Sequence, residues 1–198
     1  MVTAMGVGSI SAKLSAVVVV EGVSDQIAIE ALAERRGIEL AEAGVGVVPL
    51  GGAHRIGTFL GQLDPRSRLR LAGLCDAGEE PVFRRALERA GLGRDLSRAA
   101  MEHLGFYVCV ADLEDELIRA LGVVAVEEVI RANGDLHRFR MLQQMPEWRN
   151  RATEEQLRRF MGSGARRKIR YARLLIDALD LQRVPRPLDG VLGHAVED

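Results

Sequence analysis

Ala16-Val17-Val18-Val19-Val20-Glu21-Gly22-Val23-Ser24-Asp25 is the stretch that decides the fold. Four consecutive valines are β-branched and show no polar alternation, the pattern of a strand covered on both faces. Glu21 then stands where that strand leaves the core. Gly22 permits a tight turn, Ser24 or Asp25 can cap a helix, and Ile27, Ala28, Ala31 and Leu32 follow at helical spacing. The reading is a buried strand with a carboxylate at its exit, running into a helix.

Working outward, strand-like and helix-like segments alternate through the first 120 or so residues. Strands are expected at Val17 to Val20, Val45 to Val48, Leu69 to Cys75 and Phe106 to Val110. Helices are expected over Gln26 to Arg36, about His54 to Leu63, and Pro81 to Ala90. The economical solution is an α/β fold with an open, mainly parallel four-stranded sheet flanked by helices. From Asp112 onward the pattern is helical. Thr153-Glu154-Glu155-Gln156 reads as a capping box, and Pro185 and Pro187 read as the end of the last helix. The expected division is a sheet domain over residues 1–122 and a helical carboxyl-terminal extension over 123–198.

The 198 residues carry 27 basic and 28 acidic side chains, so any surface for nucleic acid must be local. Cys75 and Cys109 lie in apolar runs without Cys-x-x-Cys or Cys/His pairing and read as reduced core thiols. His54, His103, His137 and His194 share no metal-ligand spacing, which argues against zinc. No leader pattern and no run of about 20 apolar residues is present, so no membrane segment is expected and the protein reads as cytoplasmic.

Acidic residues fall at the strand exits. Glu21 follows the first strand, Asp76 the third, and Asp112 and Glu114 the fourth. In an open parallel sheet, loops at the carboxyl edge converge, so these groups are expected to meet. Gathered carboxylates repel and raise one another's pKa unless a cation neutralises them; oxygen donors without thiol or imidazole suit Mg²⁺ or Mn²⁺.

A second clue lies in the tail. Between Gln156 and Ile176 stand Arg158, Arg159, Arg166, Arg167, Lys168, Arg170 and Arg173, with no acidic residue. Such a run is either a phosphate-backbone contact, centred on Arg166, Arg167, Lys168 and Arg170, or a solvated helical face. Gly51 and Gly52 after the second strand are either a close approach for phosphate or a plain turn. Phe139, Met141 and Trp148 read as packing residues of the helical extension. Tyr107 and Tyr171 lie inside a strand and a helix, unlike an attacking nucleophile. No P-loop is present: Gly162-Ser163-Gly164-Ala165-Arg166-Arg167-Lys168 lacks the Gly-Lys-Ser/Thr ending.

Glu21-Gly22-x-Ser24-Asp25 resembles the first motif of the TOPRIM domain, the metal-binding fold of topoisomerases, bacterial primases and several nucleases. Leu74-Cys75-Asp76 resembles its second motif. Asp112-Leu113-Glu114-Asp115-Glu116-Leu117 resembles the third motif of the overcoming-lysogenization-defect (OLD) nucleases. The resemblance covers about residues 15 to 120, with a similar helical continuation to about 190. It implies divalent-metal-dependent hydrolysis of phosphodiester bonds in DNA, or in RNA, with one or two ions. On that basis Glu21 and Asp25 hold one ion and Asp76, helped by Glu79, the other. Glu114 completes the shell or acts through water, and Asp112 is either a further ligand or only a helix cap.

The second motif is usually Asp-x-Asp, and Gly78 stands here in place of the second aspartate, so either Glu79 or Glu80 reaches the ion by a longer arm, or a water fills the position, or the metal site is lost. OLD-like nucleases carry a functional lysine in the helical region, which assigns that role to Lys168, one of two lysines in the chain. The resemblance also implies a homodimer and a free-standing nuclease part without the ATPase domain, either self-sufficient or supplied with an ATPase by a separate polypeptide. A non-catalytic module that binds nucleic acid or a repair or defence complex is the alternative, favoured by Gly78.

Overall fold

The computed structural model describes residues 14–64, 66 and 68–197. Residues 1–13, which the sequence assigns to the sheet domain, lie outside the described residues. The sheet contains β1 (Ala16–Val20), β2 (Val45–Pro49), β3 (Arg70–Cys75) and β4 (Phe106–Val108), in the order β2-β1-β3-β4. All three pairings are parallel, and Val18 lies between Val47 of β2 and Ala72 of β3.

The valine run does what its composition dictates. Ala16 to Val20 are fully buried, with Val18 and Val20 on one face and Val17 and Val19 on the other. Burial of each valine side chain contributes about 1.5–3 kcal/mol, so β1 anchors both cores at once. Helices α2 (Ile56–Gly61), α3 (Glu80–Arg89) and α4 (Arg98–His103) cover the Val17 face.

The opposite face packs on α1 (Val23–Arg35), α5 (Leu113–Leu121), α6 (Val123–Ala132), α7 (Leu136–Gln144), α8 (Thr153–Met161), α9 (Ala165–Ala178) and α10 (Arg186–Val196). One continuous cluster runs from Val18 through Leu32 and Leu117 to Phe160, Tyr171 and Val191. Within it Phe139, Phe160 and Tyr171 meet edge to face, with ring centroids 5.4 and 6.1 Å apart. Phe139 is buried and Trp148 half-buried against this core, whereas Met141 is exposed, contrary to its reading as a packing residue.

Several local expectations need correction. The strand expected to reach Val110 ends at Val108, because the Val110 N–H turns to the Glu116 carboxylate at 2.7 Å. Thr153 is the first residue of α8 rather than its cap, so the capping box does not form; Ala152 holds the cap position. Gln156 turns inward and donates to the Trp148 carbonyl at 2.8 Å. Pro185 and Pro187 do not end the chain's helices. They begin α10, where a missing N–H in the first turn costs nothing. Helix α4, absent from the sequence reading, is a six-residue element capped by Ser97. Among the described residues, no helix is long and apolar enough to cross a membrane.

Candidate active site at the carboxyl edge of the sheet

The site is built where β1 and β3 end side by side. The Glu21 carbonyl accepts the N–H groups of Gly51 and Gly52, both at 3.0 Å, which ties the end of β1 to the turn after β2. The two glycines have φ of 72° and 126°, a conformation L side chains rarely adopt. Glu21 Oε1 accepts the Asp76 N–H at 2.8 Å, so its carboxylate lies across the end of β3. Glu21 and Asp76, 55 positions apart, therefore share one neighbourhood.

Asp25 enters the same space from the first turn of α1. Gly22 occupies the cap, with an extended φ of −143°, in place of the expected Ser24 or Asp25. Asp25 instead reaches back, and its Oδ2 accepts the Gly22 N–H at 2.9 Å. Both Ser24 and Asp25 are buried.

Helix α5 supplies the third acidic contribution. Asp112 caps it, Oδ1 accepting the Asp115 N–H at 2.9 Å, while Oδ2 accepts Arg158 Nε at 2.6 Å. Both oxygens of Asp112 are thus engaged, one of them in the helix cap. Glu114 is buried and faces Lys168, whose Nζ lies 3.4 Å from its Oε2. Lys168 comes from α9, far along the chain, and interacts electrostatically with Glu21, Asp25 and Asp76 as well.

Burial and mutual repulsion set the electrostatics. Burial, then the charges of Glu21 and Asp25, push the Asp76 carboxyl up to about 8. Burial is also the leading cause of the raised values of Glu21, Asp25 and Glu114, and Lys168 opposes the rise in each. Burial works against the Lys168 charge, yet Glu114, Asp25 and Asp76 outweigh it and hold the ammonium above its ordinary range. Beneath the site, burial and then Glu21 raise the Cys75 thiol, and burial and then Asp76 raise Cys109, so both stay protonated.

Other predicted residues are distributed differently. Glu79 is half-buried at the start of α3 and acts electrostatically on Glu21. Glu80 is directed away from the site, paired with Arg98 Nε at 2.6 Å and with Arg84. Burial favours its protonated form, but those two arginines hold its carboxyl below the usual range. The position of Gly78 is exposed, its φ lies outside the left-handed region, and an added Cβ meets nothing within 4 Å. The backbone therefore leaves room for the aspartate that the motif lacks.

The basic run of α8 and α9 does not form one open positive face. Arg170 turns to Asp135 at 2.9 Å and to Asn133, and Arg173 pairs with Glu34 and Asp177. Arg167 lies over the Phe160 ring, 4.3 Å from its centroid, and donates to Ser163. Arg166 is exposed. Glu34 of α1 and Asn133 and Asp135 before α7 are brought in by tertiary packing, while Asp177 is a neighbour on α9 itself. Asp135, not singled out in the sequence, is a buried acid joined to Arg138, Arg170 and the Tyr171 hydroxyl.

Among the described residues, no group of three Asp, Glu, His or Cys side chains is arranged to hold a metal ion by itself. The donor set still fits a hard, hydrated cation. Mg²⁺ keeps several waters and is commonly bound through one or two carboxylates plus substrate phosphate oxygens. Glu21 has one oxygen on the Asp76 N–H and a second left over, and the half-buried Asp76 carboxylate accepts no hydrogen bond among the described residues. Four acids with raised proton affinity around one lysine form the kind of charge excess a divalent ion relieves.

Residues 15–71 match the family model for the overcoming lysogenization defect protein-like TOPRIM domain. The matched segment contains Glu21 and Asp25 and stops short of Asp76. The structure is similar to the C-terminal region of the OLD protein of Xanthomonas campestris pv. campestris, with a TM-score of 0.72, 23% identity and 92% of each chain covered. It is also similar to the C-terminal region of the Burkholderia pseudomallei OLD protein, with a TM-score of 0.69 and 19% identity, over 92% of this chain and 97% of that one. No curated protein matches the chain. Residues 15–71 thus match the OLD-like TOPRIM domain model, and the chain has the fold of the OLD C-terminal region.

Proposed function

We propose that this protein is a divalent-metal-dependent nuclease that hydrolyses phosphodiester bonds of DNA at the carboxyl edge of β1 and β3. The observation that carries the reading is the convergence of Glu21, Asp25, Asp76 and Glu114 with Lys168, drawn from two strand ends and three helices. Acids that merely decorated a surface would not converge, two buried and two half-buried, around one lysine.

In this reading Glu21 and Asp76 are the residues that hold Mg²⁺ or Mn²⁺, with Asp25 and Glu79 close by. When bound, the ion polarises the phosphate and lowers the pKa of an attacking water. Water adds to phosphorus, one P–O ester bond breaks, and the products are a phosphate monoester and an alcohol. Lys168 is placed to face negative charge that develops on the phosphate oxygens, and Glu114 orients its ammonium. Neither tyrosine serves as nucleophile: Tyr171 is buried with its hydroxyl on Asp135, and Tyr107 packs against α10. The attacking group in this reading is water.

Purified protein incubated with plasmid and single-stranded DNA, with Mn²⁺ or with chelator, tests the proposal. Cleavage is expected only with metal. Lys168→Ala is expected to lower the rate roughly 100-fold or more, as loss of one charge-stabilising donor does elsewhere. Activity that survives in Glu21→Gln and Asp76→Asn would overturn the assignment. A second reading, nucleic-acid binding without hydrolysis, is favoured by Gly78 in place of the motif's second aspartate. Binding without cleavage under both Mg²⁺ and Mn²⁺ would select it.

A further inference from the structure

Arg158 is the member of the basic run that is held at the acidic site yet keeps half its side chain in solvent. Its Nε donates to Asp112 Oδ2 at 2.6 Å, and its side chain is 47% exposed. Among the described residues its two terminal amino groups make no hydrogen bond. Its bond to Asp112, the cap of the helix that carries Glu114, sets it beside the carboxylate cluster.

The support beneath it is rigid. Leu157, Phe160 and Met161, its neighbours on α8, are buried in the main core. The Arg158 carbonyl accepts the Gly162 N–H at 2.9 Å, closing the last turn of the helix. Asp112 fixes the guanidinium from the other side, and its remaining oxygen caps α5. One carboxylate therefore orients two elements, and the arginine it holds has little freedom left in its Nε edge. The other cations of the run are arranged differently. Arg170 and Arg173 are each shared between two acceptor residues, Arg167 stacks on Phe160, and Lys168 faces inward to Glu114.

We propose that Arg158 is a substrate-binding residue whose terminal amino groups grip a backbone phosphate beside the one that is cleaved, with Asp112 as its positioning residue. This rests on the nuclease reading for what is cleaved, but not for what is bound. A planar guanidinium presents a fork of donors that matches two phosphate oxygens, and with Nε on Asp112 the two terminal amino groups are left to donate. Asp112, whose type and spacing also suit a metal ligand, acts through Arg158 instead.

The test is DNA binding measured against salt concentration in Ca²⁺ buffer, with cleavage in Mn²⁺ assayed in parallel, for wild type, Arg158→Ala, Arg158→Lys and Asp112→Asn. Arg158→Ala is expected to weaken binding roughly tenfold or more and to lower the salt slope by about 1. KM rises while kcat falls less, and Arg158→Lys recovers the slope but only part of the affinity. Asp112→Asn weakens binding with the slope unchanged. Unchanged affinity and slope in Arg158→Ala would overturn the proposal. So would weaker binding that tracks a lower melting temperature at constant slope, since that marks a structural pair. A wild type that binds with this Arg158-dependent slope but never cleaves would leave the phosphate grip standing and remove the hydrolysis reading instead.

Discussion

Asp76 shows how one residue joins stability to function. The folded chain holds its proton up to about 8, against an ordinary aspartate value of 3.8. The folded state binds that proton more tightly than the unfolded chain, so this contribution is full below about pH 4 and is lost as pH rises through 8. Metal-free protein is therefore expected to melt at lower temperature at pH 8.5 than at pH 5. Asp76→Asn should flatten that slope, by roughly 2–4 °C for each kcal/mol of repulsion removed. Melts in chelator check it, and an identical slope in the variant would contradict the charge assignment. Gly78→Asp probes the open position beside it: roughly tenfold tighter Mn²⁺ binding is expected by calorimetry, because added carboxylate charge strengthens a hard-cation site. Unchanged affinity would mean that residue 78 lies outside the ion's reach. Glu21 and Asp76 were legible in the sequence because each follows an apolar run that could only be a strand. The engagement of Arg170 with Asp135 was not, since their proximity depends on how α9 crosses the turn before α7.

At the scale of elements, parallel order and two-sided burial follow from the lack of polar alternation in β1. The helices were harder to read. Pro185 and Pro187 suit the first turn of a helix as well as the end of one, and only the packing of Val191 and Leu192 decides between them. That packing is tight. A Cβ at Gly190 would stand 2.2 Å from the Tyr107 ring, so α10 approaches β4 closely because residue 190 has no side chain. Gly190→Ala is expected to destabilise the protein by about 1–3 kcal/mol through overpacking, read by urea unfolding. No change would mean that α10 shifts at little cost. Helix α4 is too short to show a hydrophobic period, whereas α8 starts within one residue of where its sequence suggests, only without the side-chain cap.

Across the whole molecule, the helices after residue 123 are part of the machinery that makes the site. They share the core of the Val18 face, and through α9 they deliver Lys168 to acids that β1, β3, α1 and α5 position. A lysine so far from the first motif can meet Glu114 only if the helical segment folds back over the sheet. If these acids share one cation-binding centre, manganese must settle among them, and anomalous diffraction from crystals soaked in Mn²⁺ would locate it. A peak between the Glu21 and Asp76 carboxylates, absent from Asp76→Asn crystals, is the predicted result. Manganese bound elsewhere, or no peak at the carboxyl edge at millimolar metal, would contradict it.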